Sequence, residues 1–92
     1  MAIQFKPRDL EKTVRGYSWH RRIQIMDVLD RSDEPLSLGN IAKACHCRIH
    51  PIFEHVRRLY VAGLVQKTNR KREVLHELTP LGERVLAFLR QL

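Results

Sequence analysis

The sequence predicts a mainly α-helical domain that carries one small β-hairpin. Three observations predict it. Apolar residues recur at helical spacing in four separate stretches, each opened or closed by a capping residue, a proline or a glycine. Two short strand-like runs, Leu64–Thr68 and Glu73–Leu78, flank the basic tip Asn69-Arg70-Lys71-Arg72. Finally, 92 residues with a 43% hydrophobic share suffice for a single core, and four prolines and four glycines are too few for a disordered chain.

Each element has a local reason. Residues 1–17 read as an N-terminal arm or a short helix around 8–15: Pro7 breaks an early helix, yet Leu10, Val14 and Tyr17 recur at helical spacing. Residues 18–92 form the domain proper. Ser18 is placed to cap a first helix over 18–31, with Trp19, Ile23, Ile25, Met26, Val28 and Leu29 on a broad apolar face. Leu36 to Leu38 is a short apolar run able to pair as a strand stub. Ser37 then caps a second helix over Leu38–Ala44, with Ile41, Ala42 and Cys45 inward. A third helix over 50–62 takes Pro51 at its first position, buries Ile52, Val56 and Leu59, and stops at Gly63. The hairpin follows, its register open because no Asn-Gly or Asp-Gly dictates the turn. Thr79 and Pro80 start the last helix, whose stripe is Leu81, Val85, Phe88, Leu89 and Leu92.

The net charge of +7 is unevenly placed. Residues 1–34 hold seven Lys/Arg against six Asp/Glu, and residues 73–92 hold two against three. Residues 35–72 hold eight against one, so the surplus sits in the middle of the chain, as a footprint for a polyanion. A generally basic, solvated surface is the plainer reading, and the clustering weighs against it. No apolar run reaches the roughly 18 residues of a membrane span, and the segment MAIQFKPRDLEK lacks the apolar stretch of a signal peptide. A soluble, cytoplasmic protein is expected, with reduced cysteines, because Cys45 and Cys47 would close only a tight, strained ring. There is no glycine-rich phosphate loop, no paired acids and no nucleophile with a base, so no enzyme and no cofactor are expected.

The run PLSLGNIAKACHCRIHPIFEHVRRLYVAGLVQK, continued by the hairpin and LTPLGERVL, resembles the winged helix-turn-helix regulators of the MarR and ArsR type and the small archaeal winged-helix proteins. The most telling matches are RRLYVAGLV and LTPLG, and the resemblance covers about residues 18–90. It implies that the second helix ends in an apolar residue, a turn residue and another apolar residue, which fall here on Cys45, His46 and Cys47. Both thiols then read as core fillers, and His46 as a left-handed turn residue. A metal site built from Cys45, Cys47, His46, His50 and His55 is the alternative. It has only the short spacing C-x-C-x-x-H and no second half.

The resemblance further implies that the third helix enters the major groove of double-stranded DNA while the wing reaches the backbone or minor groove. By position, the outward face is His50, Pro51, Phe53, Glu54, Arg57, Arg58 and Val61. Arg57 suits guanine or phosphate, Arg58 phosphate, and His50 phosphate or a base edge, with Lys43 and Arg48 as backbone clamps. Phe53 either presses on thymine methyls or packs toward Tyr60. Glu54 either accepts from cytosine or pairs with Arg57 or Arg58. Lys67, Asn69, Arg70, Lys71 and Arg72 make the wing the plainer DNA contact. A DNA-binding transcription regulator, nucleoid-associated and homodimeric through the last helix and the segment around Leu10, Val14 and Tyr17, is the expected function. The other readings are a sequence-tolerant chromatin protein or a winged-helix module for RNA or protein.

Overall fold

The computed structural model describes residues 19–92. The expected arm or helix over 1–17 and the Ser18 cap lie outside the described residues. The elements are α1 (His20–Arg31), α2 (Leu38–Ala44), α3 (Ile49–Val61), β1 (Val65–Arg70), β2 (Glu73–Leu78) and α4 (Pro80–Leu89). Their order is the predicted one. Every element contributes to one core: Ile25, Met26 and Leu29 from α1, Ile41 and Ala42 from α2, Ile52, Val56 and Leu59 from α3, Val65 and Leu78 from the hairpin, and Leu86 from α4. Removing each large aliphatic side chain from water is worth about 1.5–3 kcal/mol.

The short α2 depends on its ends. Ser37 Oγ accepts the Asn40 N–H at 3.2 Å. At the other end the His46 N–H donates to the Lys43 carbonyl at 3.1 Å and the Cys47 N–H to the Ala42 carbonyl at 3.0 Å. This paired closure needs a left-handed residue between the last turn and the exit, and His46 supplies it with φ +52. α3 ends in the same way. Gly63, at φ +81, donates to the Tyr60 carbonyl and the Leu64 N–H to the Leu59 carbonyl, both at 3.0 Å. Both left-handed positions were legible in the sequence.

The two motifs that carried the resemblance meet in space. Thr79, the cap of α4, accepts the Gly82 N–H at 2.9 Å and donates its hydroxyl to the Gly63 carbonyl at 2.6 Å. The Thr79 N–H donates to the Leu64 carbonyl at 3.0 Å. α4 thereby rests on the exit of α3 so closely that a Cβ at Gly82 would lie 2.1 Å from the Leu64 oxygen. At its far end α4 is tied to α1. Arg90 pairs with Asp27 and, at 3.1 Å, with Asp30, while Arg31 reaches Asp27 at 2.9 Å. The Arg90 hydrogen bond, aided by Arg31, holds the Asp27 carboxyl below the usual carboxylate range.

Three expectations are corrected. α3 begins at Ile49, one residue earlier than expected, so Pro51 is its third residue. Its missing N–H still falls among the first four amides, which have no partner within the helix. The wing tip is only Lys71-Arg72: β1 runs on through Asn69 and Arg70, and Arg70 pairs with Glu73 in the ladder. Lys71, at φ +58, supplies the reversal that an Asn-Gly would have signalled. In α4 the core residue is Leu86, with Val85 and Leu89 half-buried, whereas Leu81, Phe88 and Leu92 are exposed. The predicted strand stub exists as one bridge, Leu36 to His76.

Candidate nucleic-acid interface

At about 100° per residue, burying Ile52, Val56 and Leu59 turns His50, Glu54 and Val61 outward on α3. The two sides of the helix then differ. Phe53, Arg57 and Tyr60 lie toward the wing. Lys67 of β1 places its ammonium 4.3 Å from the centre of the Tyr60 ring. Phe53, Val56 and Arg57 face Lys67 and Val74 across an open, mostly apolar groove of about 310 Å³. Phe53 remains 42% exposed. Glu54 meets Arg57 at 3.7 Å, the pairing along the helix that its position allowed, and makes no such pair with Arg58. So the single acid of the basic segment is spent on its own helix surface.

On the opposite side, His55 and Arg58 approach the first turn of α1. Arg21 donates to Gln24 at 2.7 Å and to the Cys45 carbonyl at 3.1 Å, where a cation suits the end of α2. Arg22 lies over the Trp19 ring at 5.5 Å. Among the described residues neither Arg22 nor Arg58 has an acidic partner. Burial, and then the charges of Arg22, Arg21 and Arg58, lower the pKa of His55.

The wing is held from below by His76, which is 2% exposed. Its backbone exchanges hydrogen bonds with Leu36 at 2.7 and 2.8 Å, and its Nδ1–H donates to the Leu36 carbonyl at 3.0 Å. Burial lowers its pKa despite that bond. Arg70 leans toward Glu34 at 3.9 Å. Lys71 and Arg72 at the tip, Asn69 and Lys67 on β1, Lys43 at the end of α2 and Arg48 at the start of α3 are exposed. Every predicted site residue thus lies on α3, the wing or the flanking ends of α2 and α3.

Cys45 is buried in the core and Cys47 packs partly buried against it, both as free thiols. Burial raises the pKa of Cys45. Among the described residues no three His, Cys, Asp or Glu side chains stand together as a metal group. Two features escaped the sequence reading. His76 was marked only by parity, since it shares a strand face with Val74 and Leu78. Arg21 and Arg22 were marked by standing in the first turn of a helix, where acids are favoured.

No family model matches the chain, and no curated protein does. Solved structures do. The transcriptional regulator BldR from Sulfolobus solfataricus shares 26% identity over 89% of this chain, with a TM-score of 0.72. A homodimeric winged helix-turn-helix DNA-binding domain of Mb0332 from Mycobacterium bovis, a possible ArsR-family regulator, shares 22% over 98% of this chain and 87% of its own, at 0.69. BpsR from Bordetella bronchiseptica, whose DNA binding is regulated by 6-hydroxynicotinic acid, shares 24% over 77%, also at 0.69. This chain spans 58% of the BldR chain and 51% of the BpsR chain. With three helices, a bridged strand stub, a wing and a closing helix, the chain has the winged helix-turn-helix fold that the MarR and ArsR resemblance implied.

Proposed function

We propose that this protein is a DNA-binding transcription regulator that lays α3 in the major groove and sets its wing on the backbone or minor groove. The observation that carries this reading is the distribution of unpaired cations. Lys43, Arg48, Arg58, Lys67, Lys71 and Arg72 have no acidic partner among the described residues, and all sit on α2, α3, the turn between them or the wing. A surface with that much unneutralised charge of one sign is matched by a phosphate backbone. Arg57, His50 and Phe53 are the residues placed to meet base edges, and Glu54 steadies Arg57. Lys71 and Arg72 hold the backbone beside the minor groove.

The protein acts as a homodimer in this reading. Phe88 and Leu92 are 61% and 79% exposed on and beyond α4, and Leu81 joins them. A second copy would cover that apolar face and set two α3 helices against paired half-sites. Among the described residues no helix is long and apolar enough to cross a membrane. A place in the cytoplasm, on the nucleoid, follows from the DNA reading.

The test is selection from a random pool of short duplexes at two salt concentrations, followed by sequencing. A recovered palindrome supports a dimeric, sequence-specific regulator. Tight binding without a motif would make the protein a packaging factor, and no binding at low salt would remove the DNA reading. Light scattering at tens of micromolar decides the dimer separately: a monomer there ends that part.

A further inference from the structure

A helix lying in the major groove has a phosphate row on each side. The groove is about 12 Å wide and a helix with its side chains fills about 10–12 Å of it. The wing serves one side of α3. Phe53, which faces the wing, and His55 are two residues apart, so they point about 200° apart around the helix. His55 therefore marks the other side, and what surrounds it is cationic.

Arg22 comes from α1, and His55 and Arg58 from α3. Arg22 Nε and His55 Nδ1 are both shielded from solvent and have no hydrogen-bond partner among the described residues. Unmatched buried polar atoms of this kind are rare in a settled interior and ask for an explanation. Packing gives none, because the two arginines repel each other: burial first, and then Arg58, lowers the pKa of Arg22. Helix electrostatics give none either. The first turn of α1 carries no acid and holds Arg21 and Arg22, where the positive end of the helix dipole disfavours cations. Arg21 is employed on Gln24 and Cys45 and adds only its field. Four described arginines elsewhere, Arg31, Arg57, Arg70 and Arg90, reach carboxylates, whereas Arg48, Arg72 and Arg84 do not, and none of these three has a shielded nitrogen without a partner.

We infer that Arg22, His55 and Arg58 form a second phosphate grip, which holds the backbone strand on the side of α3 away from the wing. The assignment rests on the DNA reading and adds α1 to the interface. Trp19 orients the Arg22 guanidinium by lying beneath it. A phosphate oxygen would accept from the two guanidinium groups and relieve their repulsion. With its other nitrogen free to take a proton, the imidazole of His55 would become the third donor.

The experiment measures binding of a fluorescein-labelled 20-base-pair duplex of arbitrary sequence against salt, for the wild type, Arg22→Gln, Arg22→Lys, and Arg22→Gln with Arg58→Gln. Arg84→Gln on α4, far from this cluster in the chain and without an acidic partner among the described residues, is the control. Neutralising Arg22 is expected to flatten the slope of log K against log salt by about one, and the double variant by about two, with Arg22→Lys close to wild type. Thermal melts should hold steady or rise, because a repulsion is removed; a merely structural arginine would lower them. In parallel, the His55 imidazole is titrated by NMR in the wild type with and without inorganic phosphate, which needs no variant. A raised His55 pKa in phosphate supports the grip. If the wild type binds duplex and both Gln variants keep its slope, the grip is wrong while the DNA reading stands. If the wild type binds no duplex, the DNA reading fails by itself. His55 then decides what is left: a shift in phosphate assigns the cluster to a free oxyanion, and no shift ends the proposal.

Discussion

The seam between α1 and α4 and the face made by α3 and the wing use the same residue types to opposite ends. Along the seam the charges are matched: Asp27 takes Arg31 and Arg90, and Asp30 takes Arg90 again. Across the face most cations are left unmatched: of the acids there, Glu54 goes to Arg57, Glu77 accepts from Gln66, and Glu73 meets no cation among the described residues. Burial divides likewise. The seam side holds Ile25, Met26 and Leu86 fully covered, whereas the face leaves Phe53, Tyr60 and Val61 in solvent. The difference teaches where stability and binding reside. Buried apolar groups and matched charges hold the fold, and unmatched, exposed cations are kept for a partner that carries the missing charge.

The sharpest way to break that division is on the stability side. Gly82→Ala puts a methyl group into the Leu64 carbonyl and should cost about 3 kcal/mol, because backbone, not a flexible side chain, stands in the way. Chemical denaturation measures it, and a loss under about 1 kcal/mol would mean that α4 can lift off without consequence.

Next comes acid, acting where the two regions join. His76 and His55 both have folded pKa values below their ordinary 6.5. The unfolded chain therefore binds more protons in that range, and stability rises with pH through it. It should be fully present above about 6.5, and be lost as pH falls from there toward the folded values. Urea midpoints at pH 7.5 and 5.5 test the sign, and an unchanged midpoint would contradict it.

On the binding side, Lys71→Gln with Arg72→Gln should flatten the salt slope of duplex binding by about two and leave the melting temperature in place. An unchanged slope would take the wing tip out of the interface. Adding Arg70 to the pair should do less than a third full charge, because Glu34 already stands 3.9 Å from it.

The smallest effect belongs to the matched seam. Asp27→Asn should lower stability by about 0.5 kcal/mol, since the pairs are partly exposed and screened, without altering duplex binding. A change in binding instead would show that the two regions are coupled.

Much of this division could be read before any coordinates. The caps Ser37 and Thr79, the stop at Gly63 and the left-handed turn at His46 were legible because each depends on the chemistry of one residue and its near neighbours. The stripe of α3 was legible because its three buried residues keep one helical period. The stripe of α4 was misread. Leu81, Val85, Phe88, Leu89 and Leu92 outnumber what the core takes, and periodicity does not say which edge of a wide apolar face turns inward. The close rest of Gly82 on Leu64 decided that.

By itself the sequence determined the number and order of the elements, where most of them begin and end, and the concentration of positive charge between residues 35 and 72. These follow from local backbone preference and from side-chain period, which act over a turn or two of chain. Only the tertiary structure decided which charges are spent and which are kept. Arg90 meets Asp27 across 63 positions, His76 meets Leu36 across 40, and Arg22 comes to stand against α3 with no acidic partner among the described residues. Such pairings depend on distance in space, and distance in space is set by how the helices pack.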